Sequence, residues 1–307
     1  MKIALVILHA DPRRGGAERY SVDLAHGLAR RGHGVSIIAS TFANAADTPK
    51  PGDASNPSAI ELRTVGLTRS RQYRSFLDSL DKHLAENPYD IVHAMLPVRR
   101  CDVYHPHAGM ATDATRRGSI FKRLQNLTNR RGVYANIESL LLESDSTPIV
   151  IALSDYVKQS IRAAYPSLPT HRLATLFNAV DLDRFQISPV HASGITRALM
   201  VAQDFERKGL SEAIKATAKV PQLHLTVVGR EQTTQWENLA KQLNIVDRVH
   251  FAGPTSDVHS FYAGADFFVL PTRHDPCSLV VLEALACGLP ESSWCASARK
   301  QPPAWCS

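Results

Sequence analysis

Two carboxylates, Asp275 and Glu283, lie on either side of a turn that leads into an apolar helix late in the chain. The apolar run at residues 267–270 precedes them and has the character of a buried strand. Ser278 can cap the helix that follows, and Gly288 marks its end. Two acids at this separation can hold hydroxyl groups at both ends of a ligand whose centre is an anion.

The start of this helix predicts the anion site itself. A strand, a polar loop and a helix in succession direct the free N–H groups of Cys277, Ser278 and Leu279 towards the carboxyl end of a sheet. The helix dipole stabilises an anion such as a diphosphate there. Asp275 and Glu283 would then contact sugars on either side of the diphosphate. The alternative is an Asp that caps the helix and a Glu that is solvated.

Arg207 and Lys208, followed by Gly209, come after a predicted strand at residues 198–202. Paired cations at this point can neutralise a diphosphate and the charge that develops when a nucleoside diphosphate leaves. That role needs no metal ion. The alternative is that both side chains are solvated.

Gly15 and Gly16 follow the first predicted strand, where a glycine pair lets backbone N–H groups approach a ligand. The alternative is a tight turn without a ligand. The segment does not fit the GxGxxG pattern, which disfavours a dinucleotide-linked oxidoreductase. His107, and after it His105, follow another predicted strand and could hydrogen-bond a transferring sugar or an acceptor hydroxyl. A purely structural role is the alternative for both histidines.

Apolar runs alternate with helical patterns along the chain, which predicts an α/β fold. The first series has strands near residues 2–8, 35–40, 60–65, 90–96, 101–105 and 149–154. The second has strands near residues 198–202, 223–228, 249–252 and 267–270, with helices near 210–220, 234–243 and 256–263. We therefore predict a first domain at residues 1–181, a linker at 182–196, a second domain at 197–290 and an atypical tail at 291–307.

Length and composition fit this organisation, since 307 residues and an apolar fraction of 44% suffice for two domains with ordinary cores. No membrane span is expected. The apolar opening at residues 3–8 could be a signal-peptide core, but no small-residue cleavage site follows it, which favours a buried strand. The five cysteines have no metal-binding spacing and indicate a reducing cytoplasm.

A basic, amphipathic region at residues 116–131 suggests an anionic membrane surface as a partner. Nucleic acid is the competing explanation of its charge, but no recognition motif with interleaved aromatic residues accompanies it, so we expect no nucleic-acid partner. A solvated face with a packed apolar stripe is a third alternative.

The segment from Asp275 to Glu283 resembles the carboxylate-x7-carboxylate motif of the retaining family 4 glycosyltransferases of the GT-B fold. Asp275 is one methylene shorter than the Glu usual in that family, and Ser278 replaces a common Gly. Arg207, Lys208 and Gly209 match the family's basic turn, and the GGAERY segment is similar to its opening loop.

The resemblance implies two Rossmann-like domains that face each other across a cleft. It also implies that Asp275 contacts the donor sugar and Glu283 the nucleotide ribose. The donor would be a UDP- or GDP-hexose, transferred with retention of configuration and without a metal or other cofactor.

Within the family the chain is most similar to the lipopolysaccharide core glucosyltransferase type, which implies a lipid-linked glycan acceptor and a cytoplasmic enzyme at the inner face of the membrane. The resemblance covers residues 1–290. The tail after Pro290 resembles a truncated or frameshifted end and predicts an incomplete second domain. Two alternatives stay open: an inactive fragment with residual nucleotide or membrane binding, and a GT-B sugar-nucleotide epimerase.

Overall fold

The computed structural model describes residues 1–43, 56–107, 109–112, 130–144, 146–187, 195–255, 257–272, 275 and 277–293. The chain divides into two compact units, Met1–Phe177 and Asn178–Ser307. Asn178 therefore belongs to the second unit, whereas the sequence analysis ended the first domain at residue 181. Each unit contains a parallel sheet, which confirms the predicted α/β class.

The first unit is built around a seven-stranded sheet. Its strands are β1 (Lys2–Val6), β3 (Gly34–Ala39), β5 (Ser58–Glu61), β6 (Ile91–Ala94), β7 (Val103–Tyr104), β8 (Ile149–Ala152) and β9 (Leu173–Thr175), and its helices are α1 (Gly16–Arg30), α2 (Arg69–Glu86), α3 (Arg130–Leu142) and α4 (Asp155–Ala164). The order is β5-β3-β1-β6-β7-β8-β9. A small pair, β2 (His9–Ala10) and β4 (Thr41–Phe42), extends beyond β1 and β3.

Both faces of this sheet are covered, which explains why β1 is apolar throughout. Ala4 and Val6 pack with Phe76 of α2 on one face. Ile3 and Leu5 pack with α1 on the other face. Alternate residues of a strand point to opposite faces, so a strand between two helical layers needs an unbroken apolar run.

The second unit has a five-stranded parallel sheet. Its strands are β10 (Thr196–Val201), β11 (Leu223–Val228), β12 (Val249–Gly253), β13 (Phe267–Leu270) and β14 (Glu291–Ser293), and its helices are α5 (Leu210–Lys219), α6 (Thr234–Gln242), α7 (His259–Ala263) and α8 (Leu279–Ala286). The order is β12-β11-β10-β13-β14. Strands β11 and β13 have the bounds that the sequence predicted.

The chain order reverses at one point in each sheet. In the first unit the reversal lies between β1 and β6, and in the second unit it lies between β10 and β13. Loops that leave the carboxyl ends of two such strands diverge to opposite faces, and the crevice between them is where open parallel sheets bind ligands. Each unit therefore has one edge at which a ligand is expected.

The edge strand β14 extends the sheet three residues past the predicted end of the second domain. Phe268, Val269 and Leu270 of β13 pair in parallel with Glu291, Ser292 and Ser293. The short polar run has no strand pattern of its own, so it is the neighbouring strand that orders it. The rest of the tail lies outside the described residues.

Candidate active site

The edge of the second unit at which a ligand is expected brings two predicted motifs into contact. The loop after β10 carries Lys208, and the loop after β13 carries Asp275, so both follow the strands that flank the reversal in strand order. The ammonium group of Lys208 is paired with the Asp275 carboxylate. Their side chains are only 13% and 12% exposed. A solvated lysine and a helix-capping aspartate, the two alternatives, are therefore both wrong.

Gly209 allows these two loops to lie so close together. Its φ of 83° is in the left-handed region, and a Cβ placed there would lie 2.1 Å from the carbonyl oxygen of Pro271. The Thr272 hydroxyl also donates to the carbonyl oxygen of Arg207 over 3.4 Å. Any side chain at position 209 would push the basic loop away from the end of β13.

Arg207 has a different environment from its neighbour. Its side chain is 44% exposed, and its Nε lies 3.1 Å from Oδ2 of Asp204, whose other oxygen accepts from the Arg207 backbone N–H at 3.0 Å. Asp204 thus holds the Arg207 side chain against its own loop, at a partly solvated position. Only Lys208 of the predicted cation pair is withdrawn from water.

The start of α8 follows Asp275 directly. Ser278 occupies the N-cap position, but within the described residues its side chain makes no capping hydrogen bond. The helix begins at Leu279, so the N–H groups of its first turn have no partner inside the helix. The turn before it is fixed by Asn178, whose amide nitrogen donates to the carbonyl oxygen of Cys277 over 2.9 Å.

Glu283 lies one turn inside α8 and is buried, with 8% of its surface exposed. The solvated alternative for this residue is therefore wrong. Its carboxylate accepts a hydrogen bond of 2.9 Å from the hydroxyl of Tyr262, which is fully buried. Burial, together with the nearby charge of Glu283, raises the pKa of Tyr262 well above its ordinary value, so this hydroxyl remains a donor.

In the first unit, Gly15 and Gly16 form the turn into α1, which begins at Gly16. The Gly15 carbonyl oxygen accepts a hydrogen bond of 3.1 Å from the Arg19 N–H. The N–H groups of the helix residues before Arg19 have no acceptor within the helix. One turn further along, the ring of Tyr20 lies 5.5 Å from that of His105 and 4.3 Å from that of His107. The glycine and histidine motifs are therefore neighbours at this edge.

Both predicted histidines are buried, and a third histidine joins them. The ring of His105 lies 5.5 Å from that of His93 in β6 and 5.2 Å from that of His107. Neither ring nitrogen of His105 has a hydrogen-bond partner among the described residues. Burial, with smaller contributions from His107 and His93, lowers the pKa of His105 to about 3, and burial lowers that of His93 to about 4. These imidazoles are neutral at physiological pH.

Glu138 of α3 is a buried residue that the sequence analysis missed. Its carboxylate accepts hydrogen bonds from the Tyr104 hydroxyl (2.5 Å), the Ala111 N–H (3.0 Å) and the Thr112 N–H (2.9 Å). Burial raises the pKa of Glu138, while these hydrogen bonds act in the opposite direction. The carboxylate fixes the segment that continues from His107. An acid within the apolar stripe of α3, beside Leu141 and Leu142, was the signal that could have identified it.

The structure thus joins Lys208 to Asp275 and places Cys277, Ser278, Leu279 and Glu283 on the segment that follows. Gly15, Gly16, His105 and His107 lie together at the corresponding edge of the first unit. The sequence analysis also missed Tyr262, because its role depends on the tertiary contact with Glu283, which no local sequence pattern indicates.

No helix in the described part of the chain is long and apolar enough to cross a bilayer. The predicted membrane region at residues 116–131 lies almost entirely outside the described residues. The described cysteines Cys101, Cys277 and Cys287 carry free thiols.

Two family comparisons together match most of the chain. The family described as Glycosyltransferase Family 4 matches residues 14–184, and Glycosyl transferases group 1 matches residues 185–291. Lipopolysaccharide glucosyltransferase WaaG of Escherichia coli K12 is 27% identical over 90% of this chain and 76% of its own length. The lipopolysaccharide core biosynthesis glycosyltransferase LpsE of Rhizobium meliloti is 29% identical over 95% of this chain and 78% of its own length.

Solved structures show the same fold. The crystal structure of WaaG, a glycosyltransferase involved in lipopolysaccharide biosynthesis, superposes with a TM-score of 0.83 at 24% identity, over 97% of this chain and 83% of the other. The Anabaena protein HepE in complex with UDP-glucose superposes with a TM-score of 0.70 at 18% identity, over 95% and 80%. The predicted GT-B fold is thereby confirmed.

Proposed function

The chain belongs to the family 4 glycosyltransferases, and we propose that it transfers a hexose from a UDP- or GDP-hexose to a lipid-linked glycan, with retention of configuration. The observation that carries the proposal is the pairing of Lys208 with Asp275 at the reversal of the second sheet. A positive charge, a carboxylate and a helix start converge there, as a diphosphate flanked by sugars requires.

The donor is held by the second unit in this proposal. Lys208 has three N–H donors, and one directed at Asp275 leaves two for phosphate oxygens. The other oxygen of Asp275 is available to a sugar hydroxyl. The first-turn N–H groups of α8, from Cys277 to Leu279, receive the diphosphate. Glu283, oriented by Tyr262, accepts from the ribose hydroxyls.

The chemical step that we propose is a transfer on one face of the sugar. The bond between the anomeric carbon and the leaving phosphate oxygen breaks, and the acceptor oxygen bonds to that carbon from the same side. The proton of the acceptor hydroxyl passes to the leaving phosphate oxygen. Lys208 and Arg207 stabilise the negative charge that develops on the diphosphate, so the step is proposed to need no metal ion.

The first unit supplies a neutral site in this proposal. His105 offers an uncharged imidazole that can donate to or accept from sugar hydroxyls without attracting the diphosphate, and His107 lies beside it. Gly15 and Gly16 give such a ligand close access to the backbone. We propose that this edge receives the acceptor or the transferring hexose.

We propose a lipid-linked acceptor of the lipopolysaccharide core type because the similar protein WaaG is named a lipopolysaccharide glucosyltransferase and LpsE a lipopolysaccharide core biosynthesis glycosyltransferase. We propose that the enzyme works on the cytoplasmic face of a membrane. The free thiols of Cys101, Cys277 and Cys287 are compatible with a reducing compartment.

A donor screen tests this function. Nucleoside diphosphate release would be measured for UDP- and GDP-hexoses, with and without glycolipid acceptor, for the wild type, Glu283→Ala and Asp247→Ala. Asp247 is an exposed acid in the second unit and serves as the matched control. We expect release to fall at least a hundredfold in Glu283→Ala alone.

Four results would contradict parts of the proposal. Unchanged release in Glu283→Ala would overturn the site. An inverted anomer in the isolated glycoside would overturn retention, and isomerised donor without acceptor would indicate an epimerase. Loss of transfer on adding a chelator would overturn the metal-free step.

A further inference from the structure

Residues 178–187 of the second unit, referred to below as the strap, contact the chain at both ends of α8. The strap begins at Asn178, whose side-chain amide donates to the Cys277 carbonyl oxygen just before the helix. It ends at Ile187, whose Cγ2 would lie 3.2 Å from a Cβ placed at Gly288, just after the helix. The segment that enters the second unit therefore lies against the helix that carries the proposed donor contacts.

A turn at Asp181 gives the strap its shape. The Asp181 carbonyl oxygen accepts from the N–H groups of Arg184 (3.2 Å) and Phe185 (2.9 Å). Its Oδ1 accepts from the N–H groups of Asp183 (3.0 Å) and Arg184 (3.3 Å). The turn is thus closed by groups of the strap itself, and it directs the Phe185 ring into the core of the second unit, where only 4% of the residue is exposed.

Phe185 supports the residue that orients Glu283. Its ring centre lies 6.0 Å from that of Tyr262, in an edge-on arrangement, and 6.3 Å from that of His259. The Tyr262 hydroxyl donates to the Glu283 carboxylate at 2.9 Å. Edge-on aromatic pairs have a preferred geometry, so the Phe185 ring restricts where the Tyr262 ring can lie.

Asn178 holds the other end of the donor site, and it does so at a cost to stability. The residue is only 7% exposed, and its Oδ1 is a buried atom without a hydrogen-bond partner in the described part of the chain. A buried polar atom without a partner is unfavourable. An apolar side chain of the same size would avoid that cost, so the contribution specific to Asn178 is its hydrogen bond to Cys277.

A second contact between the same two residues strengthens this attachment. Burial raises the pKa of the Cys277 thiol, and hydrogen bonds from the backbone and the side chain of Asn178 act in the opposite direction. Asn178 therefore holds Cys277 at both its carbonyl oxygen and its thiol. Cys277 lies between Asp275 and Ser278, so these contacts fix the turn that leads into α8.

On the basis of the function proposed above, we propose that the strap positions the two ends of the donor separately. Asn178 holds the turn whose N–H groups receive the diphosphate, and Phe185 holds the Tyr262–Glu283 pair that receives the ribose. Neither residue is assigned a contact with the donor, so both are positioning residues. Because the N–H groups must converge on the phosphate oxygens, a shift of the turn by about 1 Å would weaken them together.

Binding of whole and truncated ligands tests the proposal with the full chain. Affinities for UDP and GDP, and for uridine and guanosine, would be measured by NMR titration. Asn178→Leu keeps the volume and removes the amide, so affinity for the nucleoside diphosphate should fall about tenfold, as for the loss of a hydrogen bond to a charged group, while affinity for the nucleoside stays unchanged. Phe185→Leu should lower both affinities about threefold, because both ligands contain the ribose.

Steady-state kinetics should show the same division. In Asn178→Leu the donor KM should rise and kcat should fall, because the same N–H groups face the charge that develops on the leaving diphosphate. In Phe185→Leu the donor KM should rise with kcat little changed. Asn178→Ala removes the same hydrogen bonds and should give the same result, which covers the case in which Asn178→Leu does not fold.

Matched controls make the same substitutions elsewhere in the second unit. Asn238→Leu changes an exposed asparagine of α6, and Phe251→Leu changes a partly buried phenylalanine of β12. Both should bind all four ligands as the wild type does. Urea unfolding should show that Asn178→Leu is at least as stable as the wild type, since the unpartnered Oδ1 is gone.

Four outcomes would overturn the proposal. Equal loss of nucleoside and nucleoside diphosphate affinity in Asn178→Leu would mean that Asn178 only supports the fold. Unchanged affinity for UDP and GDP in that variant, with affinity lost in Glu283→Ala, would leave the proposed function intact and remove Asn178 from it. Unchanged nucleoside affinity in Phe185→Leu would remove the second contact point. A wild type that binds neither UDP nor GDP would overturn the proposed function, and the role of the strap with it.

Discussion

The two units share the same kind of parallel-sheet topology but differ in the charge at the carboxyl edge of the sheet. Each presents the carboxyl ends of parallel strands at a reversal of strand order. In the second unit that edge holds charged groups that are mostly buried and have partners. Lys208 forms an ion pair with Asp275, and Glu283 accepts a hydrogen bond from the Tyr262 hydroxyl. In the first unit it holds imidazoles that burial keeps neutral, such as His105.

The difference in charge between the two edges supports the proposed placement of the donor and the sugar. A buried charge is tolerated only with a partner, and a ligand of opposite charge can take over part of that role. The imidazoles of His93 and His105, which burial keeps uncharged, can form hydrogen bonds without attracting a diphosphate. The charged edge therefore suits the donor, and the neutral edge suits a sugar.

The largest effect is expected for Lys208→Met. Removing a cation that faces developing charge lowers the release rate about 10² to 10³-fold, and it leaves Asp275 unpaired, which costs about 3 kcal/mol. Urea unfolding followed by tryptophan fluorescence measures this cost, because Trp236 is buried in the second unit and residues 1–177, the first unit, contain no tryptophan.

The double variant Lys208→Met, Asp275→Leu separates stability from activity. It should recover most of the lost stability, since no unpaired charge remains, yet stay inactive. Wild-type release in either variant would show that the pair only stabilises the fold, and the contrast between the edges would lose its functional meaning.

On the neutral edge, Glu138→Gln should destabilise the first unit by about 2 kcal/mol. The amide NH2 group replaces one of the two carboxylate oxygens and faces the N–H of either Ala111 or Thr112, so that donor is left without an acceptor. Hydrogen exchange measured by mass spectrometry should speed up in residues 103–112 and stay unchanged in the second unit. Glu143→Gln, an exposed acid just beyond the same helix, is the control. Protection that is equal in both variants would contradict the role given to Glu138.

The elements were more predictable than the contacts between them. Strands β11 and β13 are apolar runs bounded by turn formers, and their bounds could be predicted from local pattern. Lys208 and Asp275 were each identified as candidates, but their contact follows from strand order, which links residues far apart in sequence. Tyr262 and the strand at Glu291–Ser293 are ordered by neighbours in space, so no local signal marks them.

The neutral edge also predicts a pH dependence. In the unfolded chain a histidine binds a proton below about pH 6.5, whereas burial lowers the folded pKa of His105 to about 3 and that of His93 to about 4. The unfolded state therefore binds more protons between these values, and the first unit should lose stability as pH falls below about 6.5, by about 2 kcal/mol for each of the two histidines at pH 5.

Pulse proteolysis with mapped cleavage sites can follow this loss in the first unit. His105→Leu removes one of the two groups and should make the pH dependence shallower, while His171→Leu at an exposed site should leave it unchanged. Among the described residues, the rings of Tyr20, His93 and His107 lie within 5.5 Å of the His105 ring. A pH dependence that is the same in both variants would mean that His105 is protonated in the folded state.

The smallest effect is expected when the same change is made at both edges. Tyr262→Phe removes the hydroxyl that donates to Glu283, which should raise the KM for the donor about fivefold, a cost of about 1 kcal/mol, with kcat little changed. Tyr165→Phe removes a hydroxyl near Glu138 in the first unit and should leave the donor KM unchanged. Equal shifts in the donor KM of the two variants would mean that donor affinity does not depend specifically on the second unit. A shift in Tyr262→Phe alone would show that orientation of Glu283, beyond its charge, contributes to donor affinity.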